Sequence, residues 1–166
     1  MLFTLVLSAC NQNNEHPLVQ NIEEIEDFPY DFKLPTHMPY KVEEVKLFHY
    51  NKRIDKLPEK LEDAKPMDFN LEVAFRGELE EELIIIGIKP KIELENSSGA
   101  NEQQIKLSNS SEAEYYYNGS SQIVTWNDDS LNYNILVYLP EKDKELYSLD
   151  ELIKVADSLA PYNRTN

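Results

Sequence analysis

The sequence predicts an α+β fold, an antiparallel meander with a C-terminal helix across one face, from three observations. Apolar and polar residues alternate with period two over 67–76 and again over 131–139, which places one set of side chains on each face of a strand. Asn118-Gly119 and Asn127-Asp128-Asp129-Ser130 separate such segments. Turns this short join antiparallel neighbours, because a parallel pair needs a crossover of a dozen residues or more. Near the end, Ser148 and Glu151 have capping-box spacing, and Leu149, Leu152, Ile153, Ala156 and Leu159 share one helical face.

The first element is an address rather than a strand. Residues 1–9, MLFTLVLSA, are uncharged and mostly apolar. Nine residues are too few to cross a bilayer, which takes about 20, and they suit the core of a signal peptide cut after small residues. Leu7-Ser8-Ala9-Cys10 resembles the bacterial lipobox. That resemblance implies a diacylglyceryl group on the Cys10 thiol and cleavage after Ala9, with Cys10 as the mature N-terminus. Two acyl chains hold a protein on a membrane where one is marginal, at about 0.8 kcal/mol per buried methylene. No Lys or Arg precedes the apolar run; a translation start upstream of Met1 would supply that charge. The competing expectation is a buried N-terminal strand with an inert core cysteine.

Residues 10–32 read as the lipidated cysteine and a polar tether. Residues 11–21 carry no period and span roughly 20 Å as a flexible coil. Ile22, Ile25 and Phe28 form one or two helical turns, capped by Asn21 and stopped by Pro29. The domain runs over 33–162, with 163–166 a disordered tail. Pro35 and Pro39 keep the approach to it extended.

Residues 41–50 read as a first strand, with Val45 and Leu47 opposed to Lys46 and Phe48. The charged stretch 51–66 holds Pro58 and Pro66 and reads as a long loop with room for a short helix. In 67–76, Phe69, Leu71, Val73 and Phe75 face one way, and Asn70, Glu72, Ala74 and Arg76 the other. Gly77 opens an acidic turn, and Leu83 to Ile88 are continuously aliphatic, the pattern of a strand buried on both faces. Ile92 and Leu94 continue a neighbouring strand past Pro90, and 96–102 form a polar turn. Ala113 to Tyr117 and Gln122 to Trp126 pair across Asn118-Gly119, and Leu131, Tyr133, Ile135, Val137 and Leu139 alternate through the last strand. Tyr147 and Leu152 occupy hydrophobic-staple positions, and Pro161 closes the helix.

Composition narrows the function. The 166 residues include 16 Lys and Arg against 31 Asp and Glu, a net charge of −15. Such a surface repels a phosphate backbone, so no nucleic-acid partner is expected. A single Cys excludes an intramolecular disulfide and a multi-cysteine zinc site, and no cofactor or metal is expected. The three histidines, His16, His37 and His49, read as surface polar groups, and no Gly-x-Ser-x-Gly segment supplies a nucleophile. Glu78, Glu80, Glu81 and Glu82, and the pair Asp128-Asp129, lack calcium-loop spacing and read as solvated turns. Paired carboxylates carry no glycosidase argument, since with 31 acids some pair always lies close. Alternation sends Tyr115 and Tyr117 to one face and Tyr116 to the other. Aromatic packing accounts for them, with Trp126 in the core. The functional alternative is an aromatic wall, for which Tyr116 and Tyr138 are the candidate ligand-facing residues.

Three pieces in order resemble a family of Gram-positive extracytoplasmic domains, the domain of unknown function 4367. They are Leu34-Pro35…Met38-Pro39-Tyr40-Lys41-Val42, Ile123-Val124-Thr125-Trp126…Tyr133-Asn134-Ile135, and the helix from Ser148 to Leu159 with its terminal Ala-x-Ser-Leu. The resemblance covers roughly 33–161. It implies a lipoprotein or an exported tail of a membrane protein, with a curved, incomplete barrel similar to periplasmic lipoprotein carriers, and it brings no catalytic residues. The expectation is therefore a non-catalytic binding domain, anchored by lipid on the outer side of the cell membrane and facing an envelope protein. One alternative is a carrier of an apolar ligand or of lipoprotein acyl chains, in a cavity built by Leu83, Ile85, Val137, Leu152 and Ile153. The other is a carboxylate-based enzyme.

Overall fold

Alternation along the chain becomes register across a sheet. The computed structural model describes residues 16–19, 22, 25, 28–93 and 102–162. In order they form β1 (Lys33–Pro35), β2 (Glu44–Lys52), a 3₁₀ turn (Leu61–Asp63), β3 (Phe69–Arg76), β4 (Leu83–Pro90), β5 (Glu102–Lys106), β6 (Glu112–Tyr117), β7 (Ser121–Asp128), β8 (Leu131–Tyr138), α1 (Leu149–Asp157) and β9 (Leu159–Pro161). Strands β2 to β8 make one open seven-stranded sheet in the order β2-β3-β4-β8-β7-β6-β5, antiparallel at every step. Two meanders, β2-β3-β4 and β5-β6-β7-β8, meet where β4 lies beside β8. The fold is α+β, a curved open antiparallel sheet with a C-terminal helix.

Two rows of side chains carry the core across the sheet. Val73, Ile86, Ile135, Val124 and Tyr115 lie opposite one another on successive strands, and Leu71, Ile88, Tyr133, Trp126 and Ala113 form the next row on the same face. All are buried, and Trp126 stacks on Tyr133 with ring centroids 5.7 Å apart. On β2 the register shifts between Leu47 and His49. One extra residue reverses the side-chain parity beyond it, so Phe48 is left 51% exposed while Tyr50 turns back toward the core.

The layer over this core corrects the tether expected across 10–32. His16, Val19, Ile22, Ile25 and Phe28 are all buried, so the described part of that segment belongs to the domain. The signal is a spacing of three, obscured in the sequence by Glu23, Glu24, Glu26 and Asp27. A 3₁₀ conformation eclipses side chains at that spacing. Its hydrogen bonds run from Val19 N to His16 O, Ile25 N to Ile22 O and Phe28 N to Ile25 O. Phe28 sits at the hub of an aromatic cluster, edge-on to Tyr30, Phe32, Tyr50 and Phe69 at 5.6, 5.5, 5.7 and 5.1 Å.

The chain's other end completes the layer. The capping box forms: Ser148 N donates to Glu151 Oε2 at 2.8 Å and Glu151 N donates to Ser148 Oγ at 3.3 Å. The Ser148 hydroxyl also donates to Glu151 Oε2 at 2.7 Å, and this bond, with the one from Ser148 N, holds the Glu151 carboxyl below its usual range. The helix buries Leu152, Val155 and Ala156. Pro161 does not close it, which is a second correction. The helix stops at Asp157 with Ser158 as its cap, and Leu159, Ala160 and Pro161 pair with Pro35, Leu34 and Lys33 as a separate two-stranded sheet. One further expectation shifts: β4 ends at Pro90, and Ile92 lies beyond it in no strand. Leu94 and positions 96–101 of the expected turn lie outside the described residues, and Glu102 already belongs to β5.

One buried amide ties the sheet to the helix. Gln122 has no solvent exposure. Its Nε2 donates to Tyr115 Oη at 3.1 Å and to Tyr147 O at 2.6 Å, and its Oε1 accepts from Leu146 N at 3.0 Å and Tyr147 N at 3.1 Å. Both donors and both acceptor positions of the side chain are used.

Candidate functional site

The face opposite the core carries both candidate tyrosines. Register aligns Lys46, Ala74, Ile85, Leu136, Ile123 and Tyr116 from β2 to β6. Tyr138 lies two residues beyond Leu136 on the same face. Tyr116 is half-buried, whereas Tyr138 is 58% exposed. They stand two strands and one two-residue step apart, about 12 Å by strand geometry, so they share a face without sharing a pocket.

A concavity on this face is lined by Tyr138 and not by Tyr116. A shallow depression of about 260 Å³ is lined by Glu80, Glu81, Leu83, Tyr138, Leu139 and Pro140. The turn before β4 builds its rim. Gly77 N donates to Glu82 O at 2.7 Å, and Glu82 Oε2 accepts from Leu79 N at 3.1 Å. A Cβ at Gly77 would strike the Glu82 side chain, so the tight closure needs glycine there. Folded this way, the turn leaves Leu79 53% exposed and leaves Glu78, Glu80 and Glu81 in solvent. Four large apolar side chains are exposed among the described residues, Phe48, Met67, Leu79 and Tyr138. Of the four, Tyr138 lines this depression and Leu79 belongs to the acidic turn that rims it. An apolar floor with an acidic rim suits a partner segment that combines apolar and cationic side chains. Sequence reasoning finds Tyr138 by parity and names Leu83 only as a carrier-cavity residue, because its place beside Tyr138 depends on the pairing of β4 with β8; it misses Leu79, in the turn that rims the depression.

The remaining candidates are dispersed. Leu7, Ser8, Ala9 and Cys10 lie outside the described residues. His37 and His49 are exposed, as expected of surface groups. His16 corrects that reading: it is 7% exposed, and its Nε2 sits 3.0 Å from Leu34 O while its Nδ1 accepts from Leu18 N at 3.4 Å. Burial pulls its pKa below the usual imidazole range. Among the described residues no group of three or more His, Cys, Asp or Glu side chains is placed to hold a metal ion. No helix among them is long and apolar enough to cross a membrane. The residues proposed for a carrier cavity divide between faces. Val137 and Leu152 are buried in the core, whereas Leu83 and Ile85 alternate with Ile84 and Ile86 and point to the other side of the sheet.

No family model, curated protein or solved structure matches the chain.

Proposed function

We propose that this chain is a lipid-anchored extracytoplasmic interaction domain, which meets an envelope protein through the acid-rimmed corner at Leu79, Leu83 and Tyr138. The observation that carries the reading is Leu7-Ser8-Ala9-Cys10, an aliphatic residue and two small ones ahead of the chain's single cysteine, at the point where an apolar run gives way to a polar one. The partial resemblance to the domain of unknown function 4367 supports the same compartment. The corner supports the choice of surface, since Leu79 and Tyr138 are exposed beside the solvent-facing carboxylates of Glu78, Glu80 and Glu81 rather than packed in the core. Binding there needs no covalent chemistry.

The test is capture from envelope extracts with the intact chain as bait. A specific partner held by the parent chain is lost with the double substitution Leu83→Ser and Tyr138→Ser and kept with Phe48→Ser, which removes an exposed aromatic from β2. Equal capture by all three chains contradicts the surface assignment.

A further inference from the structure

The other end of β8 holds a concavity that the interaction surface does not use. A cleft of about 420 Å³ opens where β8 begins and β9 ends, a size within the range of small-molecule sites. Its apolar wall is formed by Phe32, Leu61, Leu131 and Tyr162. The Phe32 and Tyr162 rings lean on each other with centroids 5.2 Å apart, and both side chains are buried.

The polar side of the cleft is unevenly charged. Lys33 places its ammonium 2.7 Å from Asp128 Oδ2 and 3.7 Å from Asp129 Oδ2. Asp129 occupies the tight turn between β7 and β8 with φ 53°, a left-handed conformation that Asp tolerates better than most residues. Asp31 adds a third carboxylate to the lining. Three carboxylates against one ammonium leave a deficit of two positive charges, and the lysine is already engaged. An incoming anion is repelled, and an incoming cation is attracted.

A buried tyrosine also lines this space. Tyr133 is 1% exposed and lines the cleft. Its Oη accepts a hydrogen bond from Lys33 N at 3.0 Å, yet among the described residues nothing accepts its own proton. A buried donor without an acceptor is costly and rare in folded proteins, so this O–H keeps its proton for an acceptor atom from outside the chain.

We propose that the cleft binds a small organic amine, with its ammonium drawn to Asp31 and Asp129, its apolar part against Leu61, Leu131 and Tyr162, and an acceptor oxygen on the Tyr133 hydroxyl. The site is independent of the Leu83–Tyr138 corner, at the opposite end of the same strand, about 24 Å away by strand rise. The reading therefore stands or falls separately from the proposed protein partner.

The chain contains a single tryptophan, Trp126, which stacks on Tyr133, so its fluorescence reports occupancy beside an equilibrium-dialysis measurement. The probes are 2-phenoxyethylamine, which carries all three features, and phenoxyacetate, which replaces the ammonium with a carboxylate. The amine binds saturably to the intact chain and phenoxyacetate at least tenfold more weakly. Asp31→Asn combined with Asp129→Asn, both exposed positions, weakens the amine at least fivefold. Tyr133→Phe weakens it while preserving the stacked ring, and Leu83→Ser leaves it unchanged. Failure of the amine to saturate by dialysis overturns the proposal. So does phenoxyacetate binding as tightly as the amine, or unchanged amine affinity in the double Asn variant.

Discussion

Gln122 shows how much one side chain contributes when every polar atom on it has a partner. Its four hydrogen bonds join β6, β7 and the residues just ahead of α1 where the side chain has no solvent exposure. Gln122→Met keeps roughly the same volume but leaves the Leu146 and Tyr147 amides without the acceptor they share, and the Tyr147 carbonyl without its donor. Unpaired buried groups cost about 1–3 kcal/mol each. Tyr115 Oη retains Glu145 as a partner at 3.0 Å, and local relaxation lowers the total, so the expected loss is about 3 kcal/mol. Urea denaturation measures it as a lower midpoint with an unchanged slope; a loss below about 1 kcal/mol contradicts the network. The sequence places Gln122 on a strand but does not mark it as buried. In a string of apolar and aromatic residues a lone amide looks like a solvent-facing position, and only the return of the chain through Leu146 and Tyr147 supplies its partners.

At the scale of elements, the segment from His16 to Phe28 separates a tether from a structural layer. If it were a tether, Phe28→Ala would change stability little. With Phe28 fully buried among four rings, the substitution costs about 3–5 kcal/mol in thermal or denaturant unfolding. The same segment responds to pH through His16. Its folded-state pKa lies below the free value of 6.5 because burial disfavours the imidazolium. The neutral ring is therefore the docked form. Its contribution is whole above about pH 6.5 and declines as pH falls through the lowered pKa. Hydrogen exchange at the Ile22 amide, which donates to Tyr162 Oη at 3.0 Å, reads this directly. Its protection falls between pH 7 and pH 5 in the parent chain, and the fall is absent in His16→Gln. Equal protection at both pH values in the parent contradicts the assignment. Strands β3, β7 and β8 and the start of α1 are legible in the sequence because each repeats its period over several residues or carries a cap. Strands β5 and β9 are not. Glu102–Lys106 holds one aliphatic residue, and Leu159–Pro161 follows so closely on the helix that its apolar residue continues the helical spacing.

For the whole molecule, the distance from anchor to domain matters. If Cys10 carries the acyl chains, six residue steps reach His16, at most about 21 Å of extended chain. With that anchor, the burial of His16, Val19, Ile22, Ile25 and Phe28 would shorten the tether to that length and would keep the domain nearer the bilayer than a tether ending at residue 32. Anchored in this way, a net charge of −15 near an anionic surface would favour orientations that turn the acidic corner outward. Parity makes the Tyr138 face legible in the sequence. The corner itself is not, because β4 and β8 come from separate meanders and local pattern cannot specify that they adjoin. The most direct test of the central claim is the intact mass of the chain recovered from the membrane fraction of its native cell. The account predicts a polypeptide beginning at Cys10, heavier than its amino-acid sequence by a diacylglyceryl group. A chain that retains residues 1–9 and an unmodified Cys10 thiol contradicts it.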